Sequence, residues 1–385
     1  ALPAWDLGDL CPASGADDGE GSFAGRSAAL ADIATAKSEA EAFAKTYAGR
    51  IDGILDGASG ADALAKALGA YEALDERMGR IGSFAGLVYA TDTTHGAYAK
   101  FYGDVQEQLT AISSSILFFT LDINRIDEAA LEAAYADSEK LERYRPWLTA
   151  ARAWRPYQLS DDLEKLLLEK RVTGAAAWNR LFDETMAALR FDIDGAQVPI
   201  EPALNTLSSS SPSEREAGAK SLADTFAKNV STFTLITNTL AKDKETEDRW
   251  RGYEDVAQVR HLSNQVEPEV VDALATAVEN KFASVSHRYY ALKARMVGVD
   301  QLNYWDRNAP LPDSDERKLS WDDAKTTVLD AYRGFAPDMA EIAGRFFQPS
   351  GGSSWIDAQI RPGKSPGAFS HPTVPSAHPY VLLNY

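Results

Sequence analysis

The chain has 385 residues, with 57 acidic against 39 basic side chains and a formal net charge of −18. A field of that sign repels phosphate backbones and argues against nucleic acid as the main partner. The single cysteine, Cys11, excludes an internal disulfide and a cysteine-ligated zinc cluster and fits a reducing, cytoplasmic setting, while no run of about 18 apolar residues marks a membrane span. At 41.8 kDa, with 45% hydrophobic and 25% charged residues, the chain is long enough for two or more packed subdomains.

Residues 1–25 read as a leader. They lack the basic stretch and apolar run of a signal peptide, and the absence of an initiator Met suggests a trimmed start. Cys11, in so flexible a segment, makes a poor thiol nucleophile. Residues 26–190 form a first helical subdomain. Gly57-Ala58-Ser59-Gly60 is a helix-capping turn rather than a phosphate loop, because no strand precedes it. Leu64, Leu68, Tyr71, Leu74, Met78, Ile81, Phe84 and Leu87 then recur every three or four residues, the stripe of one long helix. Ser160 and Asp161 are placed to cap the helix through Leu163, Leu167 and Leu168.

The Asp-Gly pair inside residues 191–200, between short alternating runs, predicts a β-hairpin. Residues 201–346 form a second helical subdomain. Ser211-Pro212-Ser213-Glu214 is a capping box with proline at the first helical position, and Pro268 opens a later helix. Two further stripes follow: Leu222, Phe226, Val230, Phe233, Ile236 and Leu240, then Val270, Leu274, Val278, Phe282, Val285, Tyr289, Leu292 and Met296. All three are expected to pack into one array. The charge run Lys242 to Arg249 reads as a solvated helical face.

From residue 347 to 385 the pattern changes, with six of the seventeen prolines lying between Pro349 and Pro379. Long helices do not persist through that composition. The run Tyr380 to Tyr385 predicts a short buried strand. An apolar strand at the very end of a chain suggests a piece of a longer protein, whose remaining part would cover Val381 to Tyr385.

Catalytic motifs are sparse. The histidines are His95, His261, His287, His371 and His378; none lies in an H-E-x-x-H helix, and no two are four apart. His371 and His378 stand seven apart in a proline-rich loop, which suits hydrogen bonding or loop packing better than a metal site. No G-x-S-x-G elbow offers a serine nucleophile. Trp250, Tyr253, Tyr289, Tyr290, Tyr304 and Trp305 read as core or cleft wall.

The stretch Gly367-Ala368-Phe369-Ser370-His371-Pro372, followed by His378-Pro379-Tyr380-Val381-Leu382-Leu383-Asn384-Tyr385, resembles the approach to the active site in oligoendopeptidase F, of the M3 family of metallopeptidases. Tyr144 to Leu148, Leu159 to Glu164, Trp178 to Thr185 and Asn238 to Lys244 extend the resemblance over most of the chain. It implies a mostly α, multi-helix body walling a channel, with a small β-hairpin and a short β segment near the C-terminus. It also implies hydrolysis of internal bonds in short peptides by a Zn2+ whose ligands and catalytic residues lie outside this sequence. That segment would be a C-terminal part of the same protein, so this chain alone is expected to be inactive, with no catalytic or metal-binding residue of its own. Gly367, Ala368, Phe369 and Ser370 would offer an edge strand to an extended peptide, and His371, His378 and Tyr380 would line the cleft. The rival reading is a non-catalytic helical module that binds peptides or another protein.

Overall fold

The computed structural model describes residues 2–13, 23–57, 59–312, 318–347 and 355–384. The first stripe becomes the spine of the molecule. Helix α2 (Gly60–Thr91) packs between α1 (Arg26–Tyr47) and α3 (Gly96–Ile116). Leu64, Leu68, Leu74, Met78, Ile81, Phe84 and Leu87 are all buried, and Tyr71 stacks on the buried Phe119 ring at 4.8 Å. The short helices α4 (Phe118–Ile123), α5 (Glu128–Asp137), α6 (Glu139–Glu142) and α7 (Arg145–Arg152) close this core. Arg152 locks their turns by donating to the carbonyls of Ile123 at 2.6 Å and Ile126 at 2.9 Å. Both carbonyls lie at or after the end of α4, in the turn that links it to α5, where the helical bonding pattern is interrupted. Helices α8 (Asp161–Lys170) and α9 (Ala175–Ala188) follow on the outer side of α3.

The expected hairpin is present as β1 (Phe191–Ile193) and β2 (Ala196–Val198), paired antiparallel with Phe191 opposite Val198. Asp194 and Gly195 both have positive φ, 53° and 82°, as a tight hairpin turn requires. Phe191 is fully buried and seeds a second, smaller core with Ala203 of α10 (Ile200–Asn205) and Leu222 of α11 (Pro212–Lys228). Two helix starts depart from expectation. The Ser211 hydroxyl accepts from the Glu214 amide, but Glu214 turns its carboxylate to the Ser209 hydroxyl, so the box closes in one direction only. Ser160 stands at the start of α8 without capping it; there Glu164 reaches back to accept the Leu159 amide at 2.8 Å.

The later stripes differ more. The second is split at Asn229 between α11 and α12 (Val230–Arg251), and only Leu222 and Ile236 of it are buried. After α13 (Gln258–Asn264), the third runs through α14 (Pro268–Glu279), a π-helical turn at Phe282–His287 and α15 (Arg288–Val297). Its eight apolar residues are 42–65% exposed, so it does not join a packed array within the described residues. Periodicity identifies the apolar side of a helix but not what lies against it. Helices α16 (Trp321–Phe335) and α17 (Pro337–Phe347) pack mainly on each other. No helix among the described residues is long and apolar enough to cross a membrane.

The leader is not flexible in its described part. Trp5, Leu7, Leu10 and Cys11 are buried in the main core, because three of the seven residues 5–11 carry large apolar side chains with a ready-made cover in the C-terminal sheet. That sheet has strands β3 (Ile356–Asp357), β4 (Phe369–His371) and β5 (Tyr380–Leu382) in the order β3-β5-β4. The central strand β5 runs parallel to β3 and antiparallel to β4. Tyr380 and Leu382 are fully buried in the main core and Val381 is half-buried, as the alternation of a strand dictates.

Candidate functional site

The sheet presents one open edge, and its backbone polarity can be worked out. The Val381 amide donates to the Trp355 carbonyl and the Leu383 amide to the Asp357 carbonyl, both at 2.8 Å. Those residues of β5 therefore point their main-chain groups toward β3, and Tyr380 and Leu382 point theirs toward β4. Phe369 faces Leu382 and His371 faces Tyr380 as hydrogen-bonded pairs, which leaves Ser370, opposite Val381, directed away from the sheet. The Ser370 N–H and C=O are thus offered on a free edge, beside the exposed Gly367 and Ala368. No further strand pairs with β4 among the described residues.

The approach to this edge is held from three sides. Gly367 has φ +78° with open space where a side chain would stand, so glycine is needed there for its backbone angle. Its amide donates to Glu201 of α10 at 2.6 Å, and its carbonyl accepts from the Asn384 side chain at 2.7 Å. Phe369 leans inward on Trp5, with ring centres 6.2 Å apart. The edge is therefore a pre-set track rather than a loose loop.

The sequence-predicted residues divide into two groups. Gly367, Ala368, Phe369, Ser370 and His371 form or lead into the open edge. His371 is half-buried, with Nε2 2.9 Å from the Ser83 hydroxyl of α2, and burial lowers its pKa from the usual histidine range. His378 lies face to face with Trp355, ring centres 3.5 Å apart, with Nε2 2.9 Å from an Asp9 carboxylate oxygen and Nδ1 3.1 Å from the Pro379 carbonyl. Tyr380 is not brought to a cleft. It is fully buried, burial raises its pKa, and its hydroxyl donates to the Asp6 carbonyl at 3.1 Å. The parity of β5 turns residue 380 inward, and the pattern around it gave no sign that the leader would cover it.

Below the sheet lies a charge knot that sequence reasoning missed. The Asp357 carboxylate accepts from Arg361 at 2.7 and 2.6 Å and from Lys364 at 2.8 Å. Lys364 also donates to the carbonyls of Asp357, Gln359 and Leu383, so one ammonium ties the ends of β3 and β5 together. Burial works against a charged Asp357, but the Arg361 and Lys364 hydrogen bonds outweigh it and hold its pKa below the usual carboxylate range. Asp357, Arg361 and Lys364 are near neighbours in sequence, but only the pairing of β3 with β5 brings the Leu383 carbonyl to Lys364, and periodicity carries no trace of that.

Both rings of the His371 and His378 pair are engaged by hydroxyl, carboxylate or carbonyl groups, and no three His, Cys, Asp or Glu side chains converge as a metal site among the described residues. A tetrahedral zinc needs three or four such ligands, so the residues present do not fit one.

The comparisons agree with this architecture. Residues 122–191 match the family model described as Oligopeptidase F. The chain is 25% identical over 335 residues to Oligopeptidase PepF of Bacillus subtilis (strain 168), which is 85% of this chain and 49% of that protein. It is 22% identical over 318 residues to the Group B oligopeptidase PepB of Streptococcus agalactiae serotype III (strain NEM316), 81% of this chain and 52% of that one. Among solved structures, oligoendopeptidase-F from Enterococcus faecium superposes with a TM-score of 0.66 at 20% identity, over 83% of this chain and 66% of that one. PZ peptidase A, solved with an inhibitor, gives 0.71 at 12% identity, over 92% and 59%. The fold is thus the mostly helical body with small β elements of those solved structures. In sequence, the chain resembles oligopeptidase F proteins over most of its length. It spans about half the length of the curated relatives it matches.

Proposed function

We propose that this chain is the substrate-side body of a zinc-dependent oligoendopeptidase that hydrolyses internal bonds of short peptides in the cytoplasm. The observation that carries the reading is the open β4 edge, where the Ser370 N–H and C=O await a partner strand on a track fixed by Glu201, Asn384 and Trp5. An extended peptide would add there as a strand, through main-chain hydrogen bonds indifferent to its side chains. Gly367, Ala368 and Phe369 shape the approach, while His371, His378 and Tyr380 support the strand from behind. Since the described residues do not fit a metal, its ligands are assigned to polypeptide beyond this sequence, and the curated relatives are about twice as long as the region matched. The exposed stripe of α14 and α15 is the natural surface for that polypeptide to cover.

The test is cleavage of an internally quenched peptide by the purified protein, with and without a chelator. Chelator-sensitive cleavage that falls when Ser370→Pro removes the outward N–H supports the reading. A protein that binds the peptide but leaves it intact in zinc-supplemented buffer is instead a non-catalytic peptide-binding module.

A further inference from the structure

The last three turns of α2 are closed to solvent except at two glycines. From Ile81 to Thr91 every residue is buried but Gly82 and Gly86, which stay half-buried. Glycine inside a helix weakens it relative to alanine, and the chain supplies no local reason for it at either position. Neither residue has a positive φ. An added Cβ would meet Leu109 Cδ1 at 3.4 Å from residue 82 and Tyr102 Cε2 at 3.9 Å from residue 86, both ordinary contacts. Gly79, one turn before Gly82, is different: a Cβ there would stand 2.8 Å from Val374 Cγ1, so packing alone demands glycine.

What faces Gly82 and Gly86 follows from the helical turn. At about 3.6 residues per turn, Arg80, Ser83, Gly86, Gly82 and Met78 succeed one another round α2 in that order. Arg80 lies against the leader, its Nη1 3.4 Å from the Asp9 carbonyl, and the leader holds β5 through Trp5 and Asp6. Ser83 meets His371 of β4, and Met78 meets Ser113 of α3, its Sδ 3.9 Å from the hydroxyl oxygen. The order round the helix is thus β5, β4, the two glycines and α3. The open edge of β4 overhangs Gly86 and Gly82, and α3 forms the opposite bank. The Ser365 amide, bonded to the Ala90 carbonyl at 3.0 Å, fixes one end of this trough.

At Gly86 the trough widens into a cavity of about 590 Å3. There Tyr89 and Tyr102 stack, with ring centres 4.9 Å apart and planes 5° from parallel, and Leu109 lines the same bank. None of the α2 and α3 residues lining the cavity is charged; Arg171, Arg180 and Asp183 enter from the end of α8 and from α9. In a strand added to β4, the residue opposite Ser370 shares its outward side, and the two neighbours of that residue point the other way, toward α2.

We propose that Gly82 and Gly86 set the substrate class of the β4 edge: peptides with a large apolar side chain, leucine or phenylalanine, next to the residue paired with Ser370, that side chain lying across the glycine backbone against Tyr102 and Leu109. The proposal rests on the strand-addition reading of that edge and adds a specificity to it.

The experiment is fluorescence-anisotropy titration of the full chain with blocked, dye-labelled alanine-rich hexapeptides carrying one guest residue, Phe, Leu, Ala or Asp, each also made with single N-methyl amides. The amide whose methylation weakens binding marks the residue paired with Ser370. Phe or Leu beside it should bind at least about tenfold tighter than Ala, the worth of burying such a side chain, and Asp no tighter than Ala. Gly82→Ala and Gly86→Ala should each shrink that preference at least about fivefold, as overpacking does. Their melting temperatures should hold or rise, because alanine favours the helix. A two-residue methylation rhythm with no preference for Phe or Leu, or a preference that survives both substitutions, would overturn the proposal and leave strand addition standing. A flat methylation profile would remove strand addition itself, and the proposal with it.

Discussion

The Trp5 indole donates to the Val381 carbonyl at 3.0 Å across 376 positions of sequence, and it also lies 3.3 Å from the Trp355 carbonyl. One side chain near the start of the chain thereby fastens the central strand of the sheet whose edge carries the candidate site. The Phe369 and Tyr380 rings pack on the same indole at 6.2 and 6.1 Å. Trp5→Phe keeps most of that packing and removes the donor. It should cost about 0.5–1.5 kcal/mol, the net worth of one hydrogen bond, because both carbonyls keep their ladder partners. Urea unfolding would measure the loss, and hydrogen exchange should show it concentrated in β5.

Much of the helical half of this arrangement is legible in the sequence, and most of the rest is not. Leu64 to Leu87 mark α2 because a helix buried along one side must repeat its apolar residues at that spacing. Asp194-Gly195 marks the hairpin because few other pairs tolerate two positive φ angles. Trp5 leaves no such trace, since its partner Val381 lies at the far end of the chain, and the Asp357, Arg361 and Lys364 knot sits at the end of β3 and in the loop after it, without periodicity. Within the candidate site, the Gly367–His371 stretch was visible only by resemblance. The outward direction of Ser370 follows from ladder register, and the inward turn of Tyr380 from the same register.

If Ser370 pairs with an extended peptide, the peptide residue opposite it exchanges two main-chain hydrogen bonds with it. Methylating that amide nitrogen removes one bond and leaves every side chain in place. Affinity should fall about 2–10-fold, as one net hydrogen bond of about 0.5–1.5 kcal/mol requires. Moving the methyl group by one residue should have little effect, because alternate amides face away from β4. A scan of singly N-methylated peptides in a binding assay would show that two-residue rhythm, and a flat profile would rule out strand addition.

The Asp357 knot makes an acid-sensitivity prediction. Its folded-state pKa is depressed, so its stabilisation is complete above the unfolded value near 4 and is lost as pH falls through the lower folded value. His371 adds to the same trend at higher pH. Its folded pKa is lowered by burial, so the unfolded chain takes up a proton first and stability declines as pH drops below about 6.5. Melting temperature should therefore fall in two stages between neutral pH and pH 3. His371→Gln should flatten the upper stage, and Asp357→Asn the lower one, at the expense of a less stable protein at neutral pH.

A second buried pair stitches the smaller core to the segment after α15. Arg215 of α11 donates through Nε and Nη2 to one Asp306 oxygen at 3.1 and 2.8 Å, with both side chains under 10% exposed. Its Nη1 also holds the carbonyls of Ser209 and Ser210. Arg215→Met strands a buried carboxylate and should cost about 3–5 kcal/mol, whereas Arg215→Met combined with Asp306→Leu should recover part of that loss. Urea midpoints of the single and double variants give the comparison. Equal losses in both would mean that the pair contributes through the serine carbonyls rather than through charge.

The exposed stripe of α14 and α15 supports the last prediction. Val270, Leu274, Val278, Val285 and Leu292 stand 45–65% exposed along α14, the π-helical turn and α15. Surface positions that touch little else change stability by no more than about 0.5 kcal/mol when substituted. Leu274→Glu and Val285→Glu should therefore leave the melting temperature of this chain within a few degrees of its starting value. The same substitutions would place a charge in any interface that covers the stripe, at a cost of several kcal/mol if it remained unpaired. With the polypeptide proposed to carry the metal supplied as a separate chain, they should abolish stable association, read by sedimentation velocity, and lower peptidase activity in proportion. If instead they destabilise this chain alone by 2 kcal/mol or more, a burial penalty of the usual core size, the stripe is covered by this chain's own residues in solution and is not a docking face.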